Sequence, residues 1–312
     1  MSVTQTLTDN RGWADASPRL SVLVPFFRYD PTALLTALNR EASDLAGEVE
    51  VIALDDGGGD PDLLAAARAL IADLKLPARL VALSDNEGRA KGRNRLAAHA
   101  RGGHLLFLDC DMAPDAPDFL ARYLGEMARA NPAVTFGGFS MKQVPAGGCY
   151  ALHRALSLRG ECLPAAERAV HPEKYVYTSN LLVRRDVFDA EGFDEGFSGW
   201  GWEDVEWGMR VSARYGVLHI DNPATHLGLD TPEALAAKYE QSAPNFARVV
   251  ARHGAVVVAY PSYRLARLLR RLPARRAWRP LLKWTALSGL APLTARVLAL
   301  KAYRAALYAD VV

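Results

Sequence analysis

The sequence predicts an α/β fold in which a mostly parallel sheet is flanked by helices. Three observations carry the prediction. Short apolar runs alternate with segments of helical period through the first hundred residues. The runs are almost continuously apolar, as strands covered on both faces are. Two acidic clusters fall where strands end, on the side of such sheets where ligands bind.

The elements follow in order. Residues 1–18 are polar, contain no apolar leader segment and read as a disordered lead. Leu20 to Val24 is a buried strand stopped by Pro25, and Pro31 to Leu45 carries Leu34, Leu35 and Leu38 at helical spacing. Val49 to Leu54 is a second strand running into Asp55-Asp56-Gly57. Asp60-Pro61 opens a helix through about Leu74, with Asp as N-cap and Pro in the first turn. Arg79–Leu83 is a strand, Arg89–Ala100 a helix, and His104–Leu108 a strand ending in Asp109-Cys110-Asp111. The second half is less regular. Strands are expected at Ala133–Phe139, Tyr175–Val183 and Val217–Ile220, with helices within Gly147–Gly160 and over Glu203–Tyr215.

Composition narrows the class. Half the residues are hydrophobic, enough for an ordinary globular core. Cys110, Cys149 and Cys162 form no CxxC pair, which argues against a disulfide framework or zinc knuckle and fits a reducing cytoplasm. No window supplies the roughly 18 apolar residues of a spanning helix. Between Glu240 and Asp310 no acidic residue occurs, while Arg and Lys recur, so the tail is strongly basic. Such asymmetry points to an anionic partner surface.

Several residue groups could carry chemistry. Asp109 and Asp111, two residues apart after an apolar strand, can converge on one hard cation through oxygen ligands. Taken alone, either acidic cluster reads equally as turn aspartates exposed to water. Gly199-Trp200-Gly201-Trp202 precedes Glu203-Asp204 at a helix start. Acidic residues there favour the helix dipole, and Glu206 with Arg210 has i,i+4 spacing. Those reasons do not account for the Gly-Trp-Gly-Trp in front, where glycines permit close approach and indoles offer stacking surfaces. His226, in a loop after the last strand, could complete a metal site begun by carboxylates, whereas His219 lies inside that strand as a candidate core histidine.

Together these motifs resemble the family 2 inverting glycosyltransferases over about residues 19 to 230. The resemblance rests on Ser21-Val22-Leu23-Val24-Pro25, Asp55-Asp56-Gly57, Asn86-Glu87-Gly88 leading into Lys91-Gly92-Arg93-Asn94, Phe107-Leu108-Asp109-Cys110-Asp111-Met112, and Ser179 to Phe188. The Gly199–Arg210 segment is similar to the Trp-Gly-Gly-Glu-Asp helix of β-1,4-galactosyltransferases and bacterial chondroitin-type polymerases. The resemblance implies a GT-A fold and a UDP-sugar donor, with Asp56 on the uracil, Pro25 lining the base pocket and Arg93 near the diphosphate. It further implies that Asp109 faces ribose and metal, and that Asp111 and His226 bind Mn²⁺ or Mg²⁺. Trp200 would stack near the sugar, Asp204 act as base and Glu203 hold a glycan or lipid-linked acceptor. Trp202 departs from the usual second glycine and is expected to narrow the pocket.

The expected domains are a lead over 1–18, a catalytic domain over 19–255 and a basic amphipathic helical tail over 256–312. In the tail Leu265, Leu268, Leu269 and Leu272 recur at helical spacing among arginines, and Pro273 and Pro280 are expected to break it into short helices. Trp278 and Trp284 suit a membrane interface, so a peripheral place at the inner face of the cell membrane is expected, with no nucleic-acid partner; the alternative is a tail packed on the catalytic domain, its arginines a solvated rim. A catalytically silent nucleotide- or glycan-binding protein on the same fold is the rival; the four residues Asp109, Asp111, Asp204 and His226 argue against it. A dehydrogenase would need GxGxxG after the first strand, and a sugar-nucleotide pyrophosphorylase a Gly-rich loop there; Pro25-Phe26-Phe27 is neither.

Overall fold

The computed structural model describes residues 3–45, 47–273 and 275–312. They form two compact units: Met1–Val144, Cys162–Glu195 and Trp207–Gly228 make the first, and Pro145–Glu161, Gly196–Glu206 and Leu229–Val312 the second.

The strands of the first unit are β1 (Gln5–Asp9), β2 (Leu20–Phe26), β3 (Val49–Asp55), β4 (Ala78–Leu83), β5 (His104–Phe107), β6 (Met112–Pro114), β7 (Val134–Phe136), β8 (Phe139–Ser140), β9 (Leu181–Arg184), β10 (Leu218–His219) and β11 (Ala224–His226). The main sheet has the order β1-β4-β3-β2-β5-β9-β7-β10, and β6-β11-β8 make a small second sheet. β2 pairs in parallel with β3 on one side and β5 on the other. The chain therefore winds outward from β2 through β3 and β4, then returns to β5 on the opposite side. That reversal opens a crevice beyond the carboxyl ends of β2 and β5, where α/β sheets bind ligands.

Period-2 alternation divides the sheet's side chains between two cores. Val22, Val24, Val51 and Ala53 pack with Leu34, Leu35, Ile71 and Leu120. Leu23, Ile52, Leu54 and Phe107 pack with Leu96, Phe188 and Trp207. Helices thus cover both faces, and the fold is the expected mostly parallel α/β sheet.

Several local expectations are corrected. Within the expected disordered lead, Gln5–Asp9 pairs antiparallel with β4, and Trp13 is buried between the guanidinium groups of Arg79 and Arg101, at 4.4 and 3.9 Å. A polar composition hid this strand because it is held by backbone pairing with β4, its one apolar residue, Leu7, being exposed. Met1 and Ser2 of that lead lie outside the described residues. The strand expected over Ala133–Phe139 divides into β7 and β8, since Gly138 takes φ +100° and turns the chain into the other sheet. His226, expected in a loop, ends strand β11.

The second unit is helical: Ala151–Gly160, Pro232–Val257, Pro261–Arg270, Arg275–Leu287 and Leu293–Tyr308. The helix Pro232–Val257 runs across residue 255, so the chain has no break at the expected start of the tail. Pro280 sits inside the helix Arg275–Leu287 rather than breaking it. The carbonyl it leaves without a donor belongs to exposed Arg276, where water can replace it. Leu235, Ala236, Val297, Leu300 and Tyr303 build this unit's core.

Candidate functional site

At the end of β3 the two acidic residues divide their work. Asp55 accepts a hydrogen bond from the Gly58 N–H at 3.0 Å and shapes the turn. Asp56 accepts from Asn86 Nδ2, Glu87 N and Gly88 N at 2.8–3.0 Å. Its carboxylate thereby pins the loop that enters the helix Arg89–His99. Burial outweighs these bonds and raises the carboxyls of Asp55 and Asp56 above their ordinary values. Gly57, at φ +67°, lies so close to this loop that an added Cβ would meet the Asp85 carbonyl carbon at 2.3 Å. Pro25 is opposite Leu54 in β2, beyond the last β2–β5 pair, Leu23 with Phe107. A residue without an N–H is tolerated there because the β5 ladder has ended.

Arg93 projects from the next helix, is 2% exposed, and donates to Asp109 Oδ1 at 2.7 Å. The same helix is tied down by Asn94, whose amide exchanges two hydrogen bonds with the backbone of Phe193. A buried, charge-assisted bond of this kind orients both partners.

Asp111 and His226 are 115 positions apart in the sequence, yet His226 Nε2 lies 3.3 Å from Asp111 Oδ2. Strand pairing is the cause. β6 and β11 run antiparallel with His226 opposite Met112, and the Leu227 N–H donates to the Asp111 carbonyl at 2.9 Å. Burial would raise the Asp111 carboxyl, but the hydrogen bond and charge of His226, with Arg89 nearby, hold it below the ordinary range. Its Oδ1 is buried and accepts no hydrogen bond from the described residues. Gly228 completes the cradle: an added Cβ would stand 2.0 Å from Asp111 Oδ2. An unpartnered carboxylate oxygen beside an imidazole suits a divalent cation of the Mn²⁺ or Mg²⁺ kind. Among the described residues no group of three or more His, Cys, Asp or Glu side chains is placed to hold a metal. Asp111 and His226 are thus two side chains that could hold such an ion, with Asp109 engaged by Arg93.

His219 is a core residue. It is 8% exposed, packs edge-on against Phe136, and burial pulls its pKa down to about 4.

The other sequence-predicted residues, Trp200, Glu203 and Asp204, belong to the second unit. Gly199, Gly201 and Trp202 all have positive φ, so the segment winds tightly before the helix Glu203–Tyr215 begins. The Asn245 amide donates to the carbonyls of Ser198 and Gly201, both at 2.9 Å. Trp200 packs 6.0 Å from Tyr239, with the Lys238 ammonium 5.9 Å from its ring. Trp202 is turned inward: its indole N–H donates to Tyr308 Oη at 2.9 Å and its ring lies 4.7 Å from Phe246. The sequence reading cast it as a wall narrowing a pocket; these contacts make it an anchor within its own unit. Glu203 is buried, and the partly exposed Asp204 accepts from the Val205 N–H at 2.8 Å.

Sequence reasoning missed Asn86, Arg89, Asn94 and Gly228 as participants. Asn86 and Asn94 stood in the family motifs without a role assigned to them, and Gly228 left its sign as a glycine two residues past the candidate ligand His226.

Known proteins accord with this architecture. An N-acetylglucosaminyltransferase of Bradyrhizobium sp. (strain ANU 289) is 33% identical over 108 residues, which is 34% of this chain and 69% of that protein. A mannosyltransferase from Pyrobaculum calidifontis, solved with GDP-Man and Mn²⁺, superimposes with a TM-score of 0.59 at 15% identity, covering 93% of this chain and 86% of its own. S. aureus TarS 1–349, solved with UDP-GlcNAc, gives a TM-score of 0.50 at 17% identity, covering 92% of this chain and 89% of its own. The fold is therefore that of the GT-A glycosyltransferases. The family model described as Glycosyl transferase family 2 matches residues 21–191, from the start of β2 to beyond β9. Spanning more than half its length and both acidic strand ends, that match makes the chain a member of glycosyl transferase family 2.

Proposed function

We propose that this chain transfers a sugar, with inversion, from a UDP-sugar to a hydroxyl of a glycan or lipid-linked acceptor in cell-surface polysaccharide or glycolipid synthesis. The observation carrying this reading is the Asp111–His226 pair beyond the end of β5, with the Arg93–Asp109 ion pair on the same strand end. N-Acetylglucosamine is the sugar to test first, because the similar Bradyrhizobium protein is an N-acetylglucosaminyltransferase and TarS was solved with UDP-GlcNAc.

Asp56 and the backbone around Pro25 bind the base, Arg93 meets the diphosphate, and Asp109 the ribose. Trp200 stacks near the sugar and Glu203 holds the acceptor. Asp204 takes the acceptor hydroxyl's proton as its oxygen attacks the anomeric carbon opposite the leaving nucleotide, which inverts that centre. Asp111 and His226, with Asp109, would hold Mn²⁺ or Mg²⁺. When bound, the ion supplies positive charge against the charge developing on the departing diphosphate.

The test is titration of the protein with UDP and with GDP in the presence of Mn²⁺, then with EDTA, then with Asp111→Ala. The expected result is metal-dependent UDP binding that the variant loses. Binding of neither nucleotide under any metal condition would overturn the donor assignment.

The tail supports a location at the inner face of an anionic membrane. No described helix is long and apolar enough to cross a bilayer. Yet Leu268, Trp278, Leu281 and Trp284 are each more than half exposed and Leu290 is 96% exposed, among Arg267, Arg270, Arg271 and Arg276. Exposed indoles beside arginines fit the bilayer interface, each Arg adding about 1 kcal/mol at an anionic leaflet. Sedimentation with anionic liposomes at low salt should pull the protein down, and Trp278→Ser with Trp284→Ser should release it. Protein left in the supernatant would refute the surface assignment.

A further inference from the structure

Glu206 is 0% exposed, one helical step beyond the acidic pair Glu203-Asp204, and glycosyl transfer as described above makes no use of it. Burying a carboxylate costs several kcal/mol unless it is paired, so its partners mark a purpose. His253 Nε2 lies 3.0 Å from Glu206 Oε1, and Arg252 Nη1 lies 3.6 Å from the same oxygen.

His253 reaches Glu206 from an irregular point. The helix Pro232–Val257 departs from helical geometry at this one residue, with φ −122° and ψ 30°. Upstream in the same helix, Asn245 binds the carbonyls of Ser198 and Gly201, and Phe246 packs on Trp202. Residues 245, 246, 249 and 253 recur at helical spacing and share one face. That face splints the whole segment from Ser198 to Glu206.

The first turn of the acidic helix follows a strained residue and includes Glu203, which is buried as well. Trp202 is held at φ +78°, a conformation that costs a non-glycine residue on the order of 1 kcal/mol. Each residue along a helix turns the side-chain direction by about 100°, so fixing Glu206 from the side and Trp202 from behind sets the direction of the carboxylate between them.

We propose that Glu206 and His253 are positioning residues for Asp204: the hydrogen bond from His253 to the buried Glu206 carboxylate fixes the rotation of the turn that presents the base. This rests on the assignment of Asp204 as base.

The experiment measures UDP release from UDP-GlcNAc, with water as acceptor, alongside UDP affinity with Mn²⁺. His253→Ala should lower kcat at least tenfold, while the UDP Kd and the KM for donor stay within about twofold and far-UV circular dichroism is unchanged. His253→Gln, whose amide can donate to Glu206, should recover most of the lost rate. A folded His253→Ala protein with unchanged kcat overturns the proposal, as does His253→Gln remaining as slow as His253→Ala. Should His253→Ala fail to fold, His253→Asn, too short to reach Glu206, takes its place with the same two outcomes. Asp204→Asn separates the two layers. If it retains turnover, the base assignment falls and takes this proposal with it. If it is inactive while His253→Ala turns over normally, only the positioning role falls.

Discussion

Replacing Gly228 by alanine tests the proposed metal-binding role of Asp111 and His226 through a single methyl group. The added Cβ would stand 2.0 Å from Asp111 Oδ2, 2.7 Å from its Cγ and 2.9 Å from its Cβ. Ordinary contact begins near 3.4 Å, so Oδ2 must retreat by more than 1 Å, and rotation of the outer oxygens alone does not suffice because Cγ and Cβ are also too close. Gly228 itself has an unstrained φ, so the effect comes from crowding and not from backbone conformation. Overpacking of this kind costs about 1–3 kcal/mol of stability. Disturbing the surroundings of a metal ligand typically costs about 10–100-fold in metal affinity. Manganese titration followed by electron paramagnetic resonance, with UDP present, reads the second quantity; thermal melting reads the first. Asp111→Asn, which adds no volume, should lose the same affinity without the crowding. A folded Gly228→Ala protein with wild-type manganese affinity would refute the assignment of Asp111 as ligand.

Three further outcomes are expected. Asp204→Asn should bind UDP almost normally while turnover falls by about 10²–10⁴, the usual contribution of a general base; single-turnover and binding measurements together decide it. Buried His219, with its pKa near 4 in the fold against 6.5 in the open chain, takes up its proton only on unfolding within that window. Stability should therefore drop as pH falls from 6.5 to 4, by about 3 kcal/mol at 1.4 kcal/mol per unit. Urea melts at both pH values should show a smaller loss in His219→Gln, and equal losses would sink the argument. Trp13→Ala should cost about 3–5 kcal/mol, because the indole is 6% exposed between Arg79 and Arg101; a loss below 0.5 kcal/mol in denaturant melts, the scale of an ordinary surface change, would mean the lead contributes little.

How far the sequence could be read depended on the range of the interactions. β2, β3 and β5 were legible because Leu20–Val24, Val49–Leu54 and His104–Leu108 are apolar runs with acidic or proline stops, signals contained in about eight residues. β1 was not, since Gln5–Asp9 is polar and becomes a strand only by pairing with Ala78–Leu83. β6 and β11 are three residues each, too short to leave a period in the sequence. Trp202 was misread for a related reason. Its indole is oriented by Tyr308, 106 positions away, which no local pattern reports.

The sequence by itself therefore determined the parallel sheet, the two acidic strand ends, the tight Gly-Trp-Gly-Trp approach to Glu203-Asp204 and the basic tail. Each is written in local hydrophobic period, turn chemistry or charge. Tertiary structure alone decided that Asp109 is engaged by Arg93, that Asp111 faces His226 across the β6–β11 register, and that Glu206 is buried against His253. Those are partnerships between distant segments, selected by strand register and by the cost of leaving a buried charge unpaired. Neither quantity exists until the chain has folded.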